Sequence, residues 1–243
     1  MMTKTKRMVT QSVVAMLLAI LVMPTMVTEA KQTEKTTVSS KVIVIDPRGQ
    51  QEISGKKEPI GPGSFKTVEA TQNGEEGATT GYPEYEMNLA IAQKLQNTLV
   101  EQGYTVIVTR DSNDVNISNS ERAMIANTAG ADLLIAISSN TKPGVSVICQ
   151  TDDNPYNYGN YSDGRLLSDS ILGSVIQTTG SLNNGVQESD QEVLINWCAS
   201  PTAIVEVGSL NNTSEEDKLV TAEYQQKMAQ GIANGIESYF SQK

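Results

Sequence analysis

From residue 42 onward, short β-branched runs alternate with amphipathic stretches, and this alternation constrains the fold more than any other feature of the chain. Val42-Ile43-Val44-Ile45 is an unbroken apolar run of the kind found in strands buried on both faces, and Asp46-Pro47 ends it. Within residues 84–102, Met87, Ile91, Leu95 and Leu99 fall four apart with Ala92 beside them, which predicts a helix, and Gly103 stands at its stop position. Strands are predicted at residues 104–109, 131–137, 145–149, 193–195 and 203–207, and helices at 120–129, 162–178 and 224–240. This order predicts a single α/β domain, with a mostly parallel twisted sheet flanked by helices on both faces. With only two Phe and one Trp in 243 residues, its core must be built from Val, Ile, Leu and Ala.

The first thirty residues read differently. Lys4, Lys6 and Arg7 precede an apolar run from Val13 to Met23, and Thr28-Glu29-Ala30 supplies a small-x-Ala cleavage site. Residues 1–30 are therefore expected to be a signal peptide or an N-terminal membrane anchor; about 20 apolar residues are normally needed to cross a bilayer. Residues 31–40 are polar, as in a linker, and residues 41–243 form the domain. The protein is expected to be exported, to the exterior, the cell wall or the outer face of the cytoplasmic membrane, with membrane contact only through the N-terminal segment. Removing residues 1–30 takes away three bases and one acid and moves the formal charge from -10 to -12, which argues against nucleic acid as a partner. Cys149 and Cys198 are expected in neighbouring parts of the sheet, either paired or buried and free. Residues 48–83 are rich in Gly, Glu, Lys and Thr and are too long for a mere connection, so they read as a functional surface loop.

Ligand sites of open α/β sheets lie at the carboxyl ends of strands. Three such ends carry polar residues: Asp46-Pro47-Arg48-Gly49-Gln50, Ile137-Ser138-Ser139-Asn140 and Val205-Glu206-Val207-Gly208. With their neighbours they resemble the zinc-dependent N-acetylmuramoyl-L-alanine amidases, which trim bacterial peptidoglycan. Val44-Ile45-Asp46-Pro47-Arg48-Gly49 is similar to the family's Val-Ile-Asp-Pro-Gly-His, and Glu84 to Ala92 is similar to a helix opened by a glutamate and containing Asn-Leu-x-Ile-Ala. Val106 to Arg110 and Arg122 to Asn127 resemble the family's structural Val-x-x-Thr-Arg and Arg-x-x-x-Ala-Asn segments. Ala136 to Asn140 is similar to Ser-Ile-His-Ala-Asn, and Pro201 to Asn212 to a segment whose glutamate is the general base. The resemblance spans about two hundred residues, in family order.

By that resemblance the zinc ligands fall on Gly49, Glu84 and Ser138, and the general base on Glu206. Glu84 is the one ligand remaining, and the chain has no histidine to replace the other two. Catalytic zinc is normally held by three protein side chains. Its effect on bound water is about 8 to 9 pK units, or about 12 kcal/mol, against at most about 5 to 6 kcal/mol from a general base alone. The resemblance thus implies a catalytically inactive pseudo-amidase, with no cofactor expected, Glu206 a vestigial general base, and peptidoglycan or a cell-envelope protein as partner. The alternative is an active peptidoglycan amidase with an unusual metal site built on Glu84, Glu206, Asp46 and a cysteine. Asp46, Arg48 and Asn140 are candidate groove residues, and Arg48 is expected to reach into the metal position and pair with Glu84 or Glu206. Glu84 also has a plainer reading, an acid favoured at a helix N-terminus. Ser138 lacks the activating base a nucleophile needs.

Overall fold

The computed structural model describes residues 40–157 and 159–243, of which the domain is one compact unit. The expected leader and nearly all of the linker lie outside the described residues. In chain order the elements are β1 (Val42–Pro47), β2 (Lys57–Pro59), β3 (Thr67–Glu69), α1 (Glu84–Glu101), β4 (Thr105–Val108), α2 (Asn119–Ala129), β5 (Leu133–Ser138) and β6 (Val145–Cys149). They continue with α3 (Tyr161–Thr179), β7 (Asn183–Glu188), α4 (Val193–Trp197), β8 (Thr202–Glu206), α5 (Thr213–Leu219) and α6 (Ala222–Phe240). The main sheet has the order β4-β1-β5-β8-β6-β7; β4, β1, β5 and β8 run parallel, while β6 is antiparallel to β8 and parallel to β7. The expected mostly parallel, two-faced α/β sheet is what forms.

Alternation along each strand divides the core. Ile43, Ile45, Leu133, Ile135, Ile137, Ala203 and Val205 face one side and pack with α1, α3 and α6. Val44, Leu134, Ala136 and Ile204 face the other and pack with α2 and α4. Residues such as Ile43, Ile135 and Ile204 are wholly buried, which is why the central strands read as continuous apolar runs. On the first side α3 and α6 approach so closely that a Cβ on Gly235 would lie 2.4 Å from Ile171 Cα. Gly235→Ala is therefore expected to cost about 1 to 3 kcal/mol by overpacking, seen as a lower denaturant midpoint at unchanged m-value.

Three expectations are corrected. Residues 193–195 are not a strand: Val193, Leu194 and Ile195 open α4, a short buried helix, and the strand in that part of the chain is β7. β7 lies at the sheet edge and is built from Asn183-Asn184-Gly185-Val186-Gln187-Glu188, so it shows no apolar run. Cys198 follows α4, off the sheet, and both cysteines are buried free thiols, with burial raising Cys149 to about 11. The long stretch after β1 is not wholly irregular, since β2 and β3 pair as an antiparallel hairpin.

Candidate functional site

β1, β5 and β8 deliver their carboxyl ends to one edge of the sheet, and β6, running the other way, brings its amino end to the same edge. Register then sets a polar row: Ser138 lies opposite Glu206, and Glu206 opposite Ser146. Glu84 reaches the row from α1, where it is the first helical residue. The loop 72–76 closes over it so tightly that a Cβ on Gly74 would lie 2.3 Å from Glu84 Oε2, which together with φ +79° explains glycine there.

Glu84 is buried, and both its oxygens are occupied. Oε1 accepts from the Ser138 hydroxyl at 3.0 Å, the Ser139 N–H at 2.8 Å and the Asn88 amide at 3.2 Å; Oε2 accepts from the Glu75 N–H at 2.9 Å. Burial alone would raise its pKa. The backbone N–H groups of Ser139 and Glu75, helped by hydroxyl and amide donors, outweigh burial and hold the carboxyl below its ordinary range, so it is ionised. This is more than a favourable charge at a helix N-terminus.

Glu206, half-buried, is shifted in the opposite direction. Burial raises its pKa, and the neighbouring Glu192 and Glu84 carboxylates add to that, whereas the Ser146 hydroxyl and Arg48 act against it. Ser146 donates to Glu206 Oε2 and accepts from Asn140 Nδ2 at 2.8 Å, so Asn140 positions the carboxylate through the serine. Arg48 departs from expectation. Its guanidinium forms an ion pair with Glu192 at 3.2 Å, at the start of α4, rather than with Glu84 or Glu206. With a side chain only 14% exposed it does not point into solvent, but its charge reaches Glu206 through space. Glu84 already accepts from four neutral donors, and Glu192 is the carboxylate within ion-pair distance.

Asp46, expected in the groove, instead lies beneath it. It is 1% exposed and pairs with the buried Arg122 at 2.6 Å, and Thr109 also donates to it. Arg122 goes on to the carbonyl oxygens of Pro47 and Gly49 and to Gln50 Oε1, while Arg110 binds the carbonyl oxygens of Pro47 and Tyr85. Two buried arginines thus shape the loop after β1, a role the two arginine motifs announced without naming its partners. Gly49 offers that loop no side chain. Around Glu84 there are donors rather than further ligands, and among the described residues no three His, Cys, Asp or Glu side chains are placed to hold a metal ion. The residues at this edge do not fit a three-ligand catalytic zinc.

The sequence profile of the N-acetylmuramoyl-L-alanine amidases matches residues 43–238. The chain belongs to this family. It is 33% identical over 191 residues to YqiI of Bacillus subtilis, covering 76% of this chain and 88% of YqiI. It is 31% identical over 162 residues to the N-acetylmuramoyl-L-alanine amidase LytC of the same organism, covering 66% of this chain but 32% of LytC. The crystal structure of the amidase Ami1 from Mycobacterium smegmatis superposes with a TM-score of 0.75 at 19% identity, over 84% of this chain and 98% of Ami1, a likeness of fold. Among the described residues, no helix is long and apolar enough to cross a membrane.

Proposed function

We propose that this member of the amidase family is an exported pseudo-amidase, which holds peptidoglycan at the carboxyl edge of its sheet without cleaving it. The observation that carries this reading is the state of Glu84. Four protein donors converge on its two oxygens, three of them on Oε1, and among the described residues no group of three possible ligands is placed around it. Ser138, at the position where the family resemblance places a ligand, is itself one of those donors. Gly49, at the other, has no side chain to offer, and histidine is absent from the chain. The site has been converted from a ligand set into a hydrogen-bonded knot that closes without a metal. Glu206, with its raised pKa, its serine partner and Arg48 nearby, remains at the carboxyl end of β8 as a polar contact for a bound strand.

Metal linkage tests this without any assay of turnover. A ligand bound at one site and present at 100 times its Kd adds about 2.7 kcal/mol to stability. The full chain, titrated with zinc and then treated with a chelator, is expected to hold no stoichiometric zinc and to melt at the same temperature in both conditions. One zinc per chain, with a melting temperature that falls on chelation, would refute the proposal and favour an unusual metal site.

A further inference from the structure

Of the two phenylalanines in the chain, Phe65 is fully exposed, at 102%. It stands on the turn that joins β2 to β3, and that turn is tied to its surroundings by hydrogen bonds. Ile60 is buried, its N–H donates to the Lys66 carbonyl, and its own carbonyl accepts from Asn196 Nδ2 at 2.9 Å. The Trp197 indole N–H donates to Pro59 O at 3.1 Å, and the Tyr156 ring lies directly against the Gly61 backbone. A fully exposed ring contributes nothing to packing, yet its support is ordered on two sides, as in a preorganised aromatic anchor.

The place and the charge of the hairpin narrow what the ring serves. Lys66 donates to Gln191, and the next residue, Glu192, pairs with Arg48, so a chain of contacts leads from the turn toward the polar row at the carboxyl edge of the sheet. Residues 56–66 carry Lys56, Lys57 and Lys66, all exposed. Their single acid, Glu58, is buried and accepts from the N–H groups of Asn119 and Ser120. Glu69, across the hairpin, offsets Lys57 at 3.9 Å, which leaves Lys56 and Lys66 as cations without an ion pair among the described residues, beside one apolar face flanked by the hydroxyls of Ser64 and Tyr156. A bilayer rewards apolar area, and one ring offers little of it. A sugar ring fits better: an apolar C–H face for the phenyl ring, hydroxyls for the polar flanks, and peptide carboxylates along the strand for the lysines.

We infer that Phe65, presented on the β2–β3 turn, is a stacking platform for a sugar ring of a peptidoglycan glycan strand that runs from the turn into the crevice. This rests on the proposed wall-binding function and adds a subsite to it. The test is co-sedimentation of the full chain with purified peptidoglycan sacculi, compared with Phe65→Ala and Phe65→Trp, with melting temperatures as a folding control. Phe65→Ala is expected to weaken binding about tenfold with an unchanged melting temperature, while Phe65→Trp retains it. If the unaltered chain binds and Phe65→Ala binds equally well, the subsite is wrong while wall binding stands. If the unaltered chain does not sediment, both fail. Phe65-dependent sedimentation with phosphatidylglycerol vesicles but not with sacculi would overturn the inference in favour of a bilayer.

Discussion

Replacing Arg122 by alanine is expected to destabilise the domain by about 3 to 5 kcal/mol, the cost of leaving a buried charge without its partner. The residue is 2% exposed, and its guanidinium meets Asp46 at 2.6 Å in an environment where water cannot substitute. Asp46 already has one oxygen, Oδ2, buried with no partner, so it has no reserve of donors to draw on. The loss also leaves the Gly49 carbonyl without its donor and removes one of two donors from Pro47 O and from Gln50 Oε1, so the loop after β1 should loosen with the core. Equilibrium urea unfolding measures the first effect. Faster amide hydrogen exchange in residues 48–51 would report the second. A variant as stable as the parent would contradict this account of the Arg122–Asp46 pair.

Glu84→Ala is expected to have a comparable effect, about 3 to 5 kcal/mol, because four donors converge on one carboxylate and would be left buried and unmatched. The pH dependence separates this from a simple cavity. The folded carboxyl titrates below its ordinary 4.5, so the unfolded chain binds the proton more readily. The stability Glu84 supplies is then fully present above pH 4.5 and is lost as pH falls through the lower folded value. Glu84→Gln, which keeps the shape but not the charge, should differ from the parent at pH 7 and approach it in acid. A difference independent of pH would mean that Glu84 is protonated at neutral pH and that the hydrogen-bonded knot is wrongly assigned.

How much of this was legible beforehand depends on where the physical signal resides. β1, β5 and β8 were readable because strands buried on both faces must be apolar throughout, and α1 because its stripe repeats with the helical period. β7 was not, because an edge strand made of polar residues looks like a loop. Val193-Leu194-Ile195 was misread because three buried apolar residues look alike in a strand and in a helical turn. At the site, the positions of Glu84, Ser138 and Glu206 followed from motif order. What saturates Glu84 did not, since half its donors are backbone N–H groups, of Ser139 and Glu75, which leave no mark in sequence. The pairing of Arg48 with Glu192 is also hidden, because nothing in the sequence places the residue that caps α4 beside the end of β1.

The proposed lack of catalysis is tested most directly by stem-peptide release from purified peptidoglycan. The full chain would be supplied with zinc and run beside an active family member, with Glu206→Ala as control. The expected result is release by the active enzyme and none above background by this chain or its variant. Zinc-dependent release that Glu206→Ala abolishes would contradict it and would require a metal site built without histidine.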